Sequence, residues 1–308
     1  MSIFDEPKID CHCHVLDPSR FAYAPDTAYR PSGQEEGRLD QYVQVMEAYG
    51  MRHALLVGPN SGYNQDNRCL LDAIAQGQGR FKGIAVVPHH TSRAALLQLR
   101  QAGVIGIAWN AALLGTAHFT QAAAAPSLLR HLAELGMLLS LQVEHDQLVE
   151  MKPMLERSGV RMLIDHCGRP SAAGGVGQAG FQTLLGMARN GRTAVKLSGY
   201  QKFSTTAPPH HDTLPYVRAL LDHFTLDACL WASDWPFLKA PYRQDVGPLL
   251  RAVEHLLPHS RDRHRLLWET PCRWLGFEDT SLHLRQLWAK FQTDPMRLAP
   301  GQDCAAKR

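Results

Sequence analysis

Eight short apolar runs, separated by segments of helical periodicity, constrain this 308-residue chain more than any other feature. The runs cover 8–14, 53–59, 81–88, 104–110, 137–143, 161–167, 193–199 and 228–235. Most are continuous in Val, Ile, Leu and Ala and do not alternate with polar residues, which marks strands buried on both faces. Between them, apolar residues recur at helical spacing over roughly 35–49, 66–77, 92–102, 126–135, 146–158, 178–189, 212–225 and 245–256. Strand and helix in strict rotation predict parallel pairing with the helices outside. Eight such units make an α/β protein of the (β/α)8 kind, a distorted TIM barrel. The length suits one such domain over 1–295, without a linker. An open doubly wound sheet is the competing arrangement, but no G-x-G-x-x-G follows the first strand. Gly174-Gly175-Val176-Gly177 lacks the lysine of a phosphate loop. Residues 277–293 read as an extra C-terminal helix bracing the barrel, and 296–308 as a flexible tail.

In such a barrel, chemistry belongs at the carboxyl ends of the strands. The first strand closes on Cys11-His12-Cys13-His14. Alternation along a strand aims His12 and His14 the same way and puts Cys11 and Cys13 on the barrel's outer side. Strand two ends near Asn60 and Ser61, strand four in Asn110, strand five in Gln142 and Glu144. Strand six ends in Asp165-His166-Cys167-Gly168-Arg169-Pro170, strand seven in Ser198 with Lys202 beyond, and strand eight in Ser233-Asp234-Trp235-Pro236. His12, His14, His166 and Asp234 therefore meet at one mouth. Asp234 is placed to take a proton from water beside an electrophilic carbonyl, and burial is expected to raise its pKa toward neutrality. The histidines are placed to donate to the developing oxyanion, worth about 3 kcal/mol for one good donor.

Composition removes other classes. A net charge of +3, with 32 basic and 29 acidic residues and no basic run, argues against nucleic acid. No run is long enough to cross a membrane, and no signal peptide opens the chain. Seven cysteines, mostly within apolar runs and without a C-x-x-C pair, read as reduced core filler in a cytoplasmic protein. The partner left is a small molecule, taken up by a monomer or a homo-oligomer.

Four phrases carry a resemblance: D-x-H-x-H-V at 10–15, F-A-Y-A-P…Y at 21–29, D-H-x-G-R-P at 165–170 and S-D-W-P at 233–236. Over about residues 8–277 the chain resembles the amidohydrolase superfamily, and within it the 2-pyrone-4,6-dicarboxylate lactonase branch. The resemblance implies a hydrolase that opens a small anionic lactone. It implies Arg169 as a carboxylate-binding residue, Lys202 in place of a substrate-binding arginine, and Tyr29 as a substrate-binding tyrosine. The bridging lysine and strand-five histidine of two-metal members are missing: strand four offers Trp109 and Asn110, and strand five Gln142. Two states stay open. Either no metal is required, or His12, His14 and Asp234 hold a single zinc with His166 as a fourth ligand. The branch also has two arginines around strand four and a tyrosine on strand five; here Ala108, Leu114 and Gln142 stand there. That favours one anionic group, with Asn110, Gln142 and Ser61 as neutral contacts. Zinc-dependent decarboxylation or hydration on the same barrel is the alternative reaction.

Overall fold

The computed structural model describes residues 2–27 and 29–278. Eight parallel strands pair in chain order: β1 (Lys8–Cys13), β2 (Met51–Val57), β3 (Phe81–Ala85), β4 (Val104–Asn110), β5 (Leu138–Gln142), β6 (Arg161–Ile164), β7 (Thr193–Leu197) and β8 (Cys229–Trp231). Outside them run α1 (Leu39–Ala48), α2 (Arg68–Gln76), α3 (Arg93–Gln101), the short α4 (Ala111–Leu114) and α5 (Ala117–Thr120), and α6 (Ala125–Glu134). They continue with α7 (Gln147–Ser158), α8 (Ala179–Met187), α9 (Leu214–Ala228), α10 (Val246–Leu256) and α11 (Ser260–His264), and α12 (Thr270–Leu275) follows at the barrel floor. This is the (β/α)8 barrel that the alternation predicts. Seven of the strands end before their apolar runs do, whereas β4 fills its run.

The barrel closes between β1 and β8 through a buried carboxylate. Asp10 Oδ1 accepts from the Ser233 amide at 2.9 Å, and its Oδ2 accepts from the Tyr42 hydroxyl at 2.8 Å. The amides of His14 and Asp234 then bond to the carbonyls of Trp235 and His12 at 2.8 and 2.9 Å. Each strand sends one face to the helices and one to the barrel axis. Leu55, Ile84, Leu138, Leu163, Ala194 and Leu230 pack along the axis in one apolar cluster. Ala54, Leu56, Leu139, Met162 and Val195 pack outward against the helices. Below the axis the cluster ends on Trp268, Trp274, Leu275 and Phe277, which plug the barrel floor.

β1 departs from simple alternation. Asp10 pairs with Ala54 and Cys13 with Leu56, so three steps on β1 oppose two on β2. This bulge turns both Cys11 and His12 toward the axis. Cys11 therefore lies in the inner cluster and only Cys13 in the outer one, correcting the expectation that both face out. The six described cysteines are all buried, as core filler should be. The extra helix expected at 277–293 and the tail at 296–308 lie almost entirely outside the described residues; α11 and α12 precede them. No described helix is long and apolar enough to cross a membrane.

Candidate active site

Three imidazoles and a carboxylate meet at the strand ends. The Nε2 atoms of His12, His14 and His166 lie 3.8, 3.7 and 3.7 Å from Asp234 Oδ1. All four residues are at least nine-tenths buried. Asp234 is held from its other oxygen: Oδ2 pairs with Lys202 Nζ at 2.9 Å and accepts from Gln201 Nε2 at 3.2 Å. Oδ1 has no hydrogen-bond partner among the described residues although it is buried. An ionised oxygen left bare beside three ring nitrogens marks a place for a further donor or a cation.

The backbone at this mouth is unusual for its residue types. His166, Cys167, Arg169, Asp234, Phe237 and Lys239 all have positive φ, between 43° and 66°. Side chains rarely accept that conformation, and its concentration after β6 and β8 is the kind of strain that functional sites hold. Gly199, at φ +62°, makes room for the site: a Cβ there would come within 2.5 Å of His166 Nδ1. His166 Nδ1 instead lies 3.0 Å from Ser198 Oγ, which orients the ring.

Sequence reading missed the layer beneath. Lys196 points inward from β7 and is fully buried. Its Nζ lies 2.9 Å from Asp165 Oδ1, 2.9 Å from Ser140 Oγ and 3.1 Å from His12 Nδ1. The signal was available: a lysine inside the apolar run T-A-V-K-L, two residues from the inward Ala194.

The charges decide which groups ionise. Burial draws the His12 pKa down to about 4, with Lys196 adding to the effect. Burial also puts His166 well below the ordinary imidazole value. Both rings are therefore neutral at pH 7. For Asp234, burial is the largest influence and acts upward, yet Lys202 and then the facing histidines reverse it and hold the carboxyl well below its usual range. Because His12 and His166 are neutral, Lys202 is the standing charge that matters. The expectation that burial alone raises Asp234 toward neutrality is thus corrected.

A cavity of about 510 Å³ opens above these groups, lined among others by His12, His14, His166, Arg169 and Lys202. Ser61, Asn110 and Gln142 line it too, as do two residues that sequence reading did not single out, Gln201 and Lys239. Asn110 spends its acceptor capping α4, at 3.0 Å from the Leu113 amide. Arg169 pairs with Glu144 at 3.0 Å. Tyr29 does not line this cavity: its hydroxyl donates to Glu35, and burial and then Glu35 push its pKa up to about 12. Lys239 Nζ sits 4.6 Å above the Tyr29 ring, and its amide donates to the same Glu35.

The donor set fits a metal as well as a bare site. His12, His166 and Asp234 form a group whose ligand atoms all lie within 4.8 Å of one another. Zinc bond lengths near 2.1 Å require tetrahedral edges of roughly 3.4 Å, so the two 3.7–3.8 Å separations from Asp234 need only a small contraction. His14 falls outside this mutually close group, although its Nε2 is as near to Asp234 Oδ1 as that of His166, at 3.7 Å.

Barrel and mouth together bring three imidazoles and a carboxylate to the strand ends, the rim where barrel enzymes build their sites. The chain belongs to the amidohydrolase family, whose model matches residues 9–277. It is 27% identical to a 4-sulfomuconolactone hydrolase of Hydrogenophaga intermedia, covering 87% of this chain and 88% of that protein. It is also 27% identical to a 2-pyrone-4,6-dicarboxylate hydrolase of Comamonas testosteroni, over 86% and 88% of the two chains. Among solved structures, a candidate 2-pyrone-4,6-dicarboxylic acid hydrolase from Pseudomonas putida superposes with a TM-score of 0.78 at 28% identity, covering 88% and 98%. The protein is a hydrolase of this family.

Proposed function

We propose that this hydrolase opens a small anionic lactone by adding water to its carbonyl, in the breakdown of aromatic compounds. One observation carries the reading: Asp234 Oδ1, buried and without a hydrogen-bond partner among the described residues, faces three ring nitrogens at the base of a cavity that also holds cations. Water seated on Oδ1 gives a proton to Asp234 as its oxygen attacks the lactone carbonyl. A ring N–H stabilises the oxyanion that forms. Collapse of the tetrahedral intermediate breaks the bond to the ring oxygen, and protonated Asp234 returns the proton to that leaving oxygen. The product is the open-chain acid, and the base is ready again.

Arg169, Lys202 and Lys239 supply charge for the anionic substituent, while Gln142, Ser61 and the Asn110 amide group offer neutral donors. Tyr29 acts at one remove, by holding Lys239 at the mouth. In the free protein Lys202 is occupied by Asp234. A substrate anion that draws Lys202 away raises the basicity of Asp234 at the moment water must be activated. His12, His166 and Asp234 are the residues that would hold a zinc ion. When bound, zinc polarises a carbonyl and acidifies water. The alternative of decarboxylation or hydration is weaker, since both relatives named above are lactone hydrolases.

The test is hydrolysis of 4-sulfomuconolactone, 2-pyrone-4,6-dicarboxylate and smaller lactones bearing one carboxylate, followed by acid release. Asp234→Asn should lower kcat by about 10²–10⁴ while the fold is retained. Full activity in a folded Asp234→Asn variant, or no turnover of any anionic lactone, would refute the reading.

A further inference from the structure

Beneath the mouth, the hydrolytic reading leaves one charged group without a task. Lys196 is 0% exposed, and its Nζ has three neighbours: Asp165 Oδ1, Ser140 Oγ and His12 Nδ1. Ser140 gives its own hydroxyl proton to Asp165 Oδ1, at 2.9 Å, so toward Lys196 its oxygen accepts. An ammonium has three protons and no lone pair. Three neighbours then take three protons, and His12 Nδ1 is an acceptor. In the neutral ring the proton sits on Nε2, the atom that faces Asp234. The opposite tautomer would donate from Nδ1 to Asp165 Oδ1 across 3.5 Å, beyond the ordinary N–H···O range. It would also aim an N–H at an ammonium 3.1 Å away. His14 is arranged the other way. Its Nδ1 lies 2.8 Å from the carbonyl oxygen of Val57, which only accepts, so His14 keeps a proton on Nδ1, and in the neutral ring the lone pair is on Nε2.

We propose that Lys196 is a positioning residue: it fixes His12 as the ring that presents an N–H to the substrate carbonyl, and by the same contact it opposes capture of a metal by His12. A metal takes the lone pair of a neutral imidazole, whose other nitrogen then carries a proton and seeks a carboxylate or carbonyl acceptor. At His12 the nearest group to that nitrogen is a donor. Metal binding must therefore break the Lys196–His12 contact, whereas oxyanion binding keeps it. His14, whose ring is already set for a ligand role, is the one outside the mutually close metal group. The two neighbouring histidines of the first strand thus have different work despite their shared motif. The inference rests on the lactone-hydrolase reading for the purpose of the His12 N–H, but the tautomer assignment does not depend on it.

The test is ¹⁵N spectroscopy of the ring nitrogens in the full-length protein, assigned by single histidine substitutions, together with calorimetric zinc titration. In the wild type, His12 should carry its proton on Nε2 and His14 on Nδ1. Removing Lys196 alone strands Asp165 as a buried charge, so the variant is Lys196→Gln with Asp165→Asn, a neutral pair that can still hydrogen-bond. In it the His12 signals should move toward the other tautomer while those of His14 stay. Zinc should bind about 10- to 100-fold more tightly, the range seen when groups that orient metal-bound histidines are changed. A wild-type His12 protonated on Nδ1 overturns the proposal, and so does unchanged zinc affinity in the folded double variant. If the double variant does not fold, the wild-type spectrum decides. If the wild type hydrolyses no lactone yet shows the expected tautomers, the lactone reading fails and the assignment of Lys196 stands.

Discussion

Replacing Lys202 by Met removes the cation that touches Asp234 while keeping much of the side-chain volume. The contact is 2.9 Å long, and Asp234 is 1% exposed, so solvent screens it little. A hydrogen bond between charged partners is worth about 1.5–3 kcal/mol, equivalent to roughly 1–2 pKa units. Without it, burial acts on Asp234 against Gln201 and the facing rings, and its pKa rises. The sign follows from the proposed role: a base works ionised, so raising its pKa removes activity from the acid side. The acid limb of kcat/KM, which reports the free enzyme, should move up by about 1–2 pH units in Lys202→Met. The limb of kcat should move less if, as proposed, a bound anion has already drawn Lys202 from Asp234. Steady-state hydrolysis of an anionic lactone across pH, with the fold checked by circular dichroism, measures both. An unmoved kcat/KM limb refutes the idea that Lys202 sets the basicity of Asp234.

Two further outcomes are expected. Lys239, exposed at the cavity and with no carboxylate partner for its ammonium among the described residues, should matter for binding only: Lys239→Met should raise KM for an anionic lactone about tenfold, or about 1.4 kcal/mol, with kcat nearly unchanged and a neutral lactone unaffected. For acid stability, His12 titrates near 6.5 when unfolded but is brought down to about 4 in the fold by burial and then Lys196. Protons then favour the unfolded chain, so stability should fall as pH drops from about 6.5 to about 4, by on the order of 3 kcal/mol from this group. Urea midpoints across pH, compared with His12→Asn, measure it; identical slopes in the two proteins would remove His12 as the cause.

Strand and helix positions were legible because each run is long in one kind of residue and the alternation repeats. His12, His14, His166 and Asp234 could be placed at one mouth because strand ends in this architecture share a rim. What escaped has a physical reason in each case. Cys11 faces the axis because a bulge adds a residue to β1, and residue types do not announce a bulge. Lys196 reads as a stray charge until Ser140 on β5 and Asp165 just past β6 are brought to it. The direction of the Asp234 shift depended on Lys202, a contact across 32 positions that no local pattern encodes. Tyr29 carries a family phrase, yet its hydroxyl is claimed by Glu35 six residues on, and the cation above its ring comes from a loop with left-handed backbone.

The plug formed by Trp268, Trp274, Leu275 and Phe277 has a consequence for synthesis. These residues leave the ribosome after all eight strands, and Lys82 fastens them by donating to the carbonyls of Leu275 and Gly276. Until they arrive, Ile9, Leu55 and Leu163 border an open-ended tube that water can enter from beneath. A nascent chain halted before the plug would display a greasy hole to chaperones, however complete its catalytic rim. Distance from the chemistry is no measure of how dispensable this segment is.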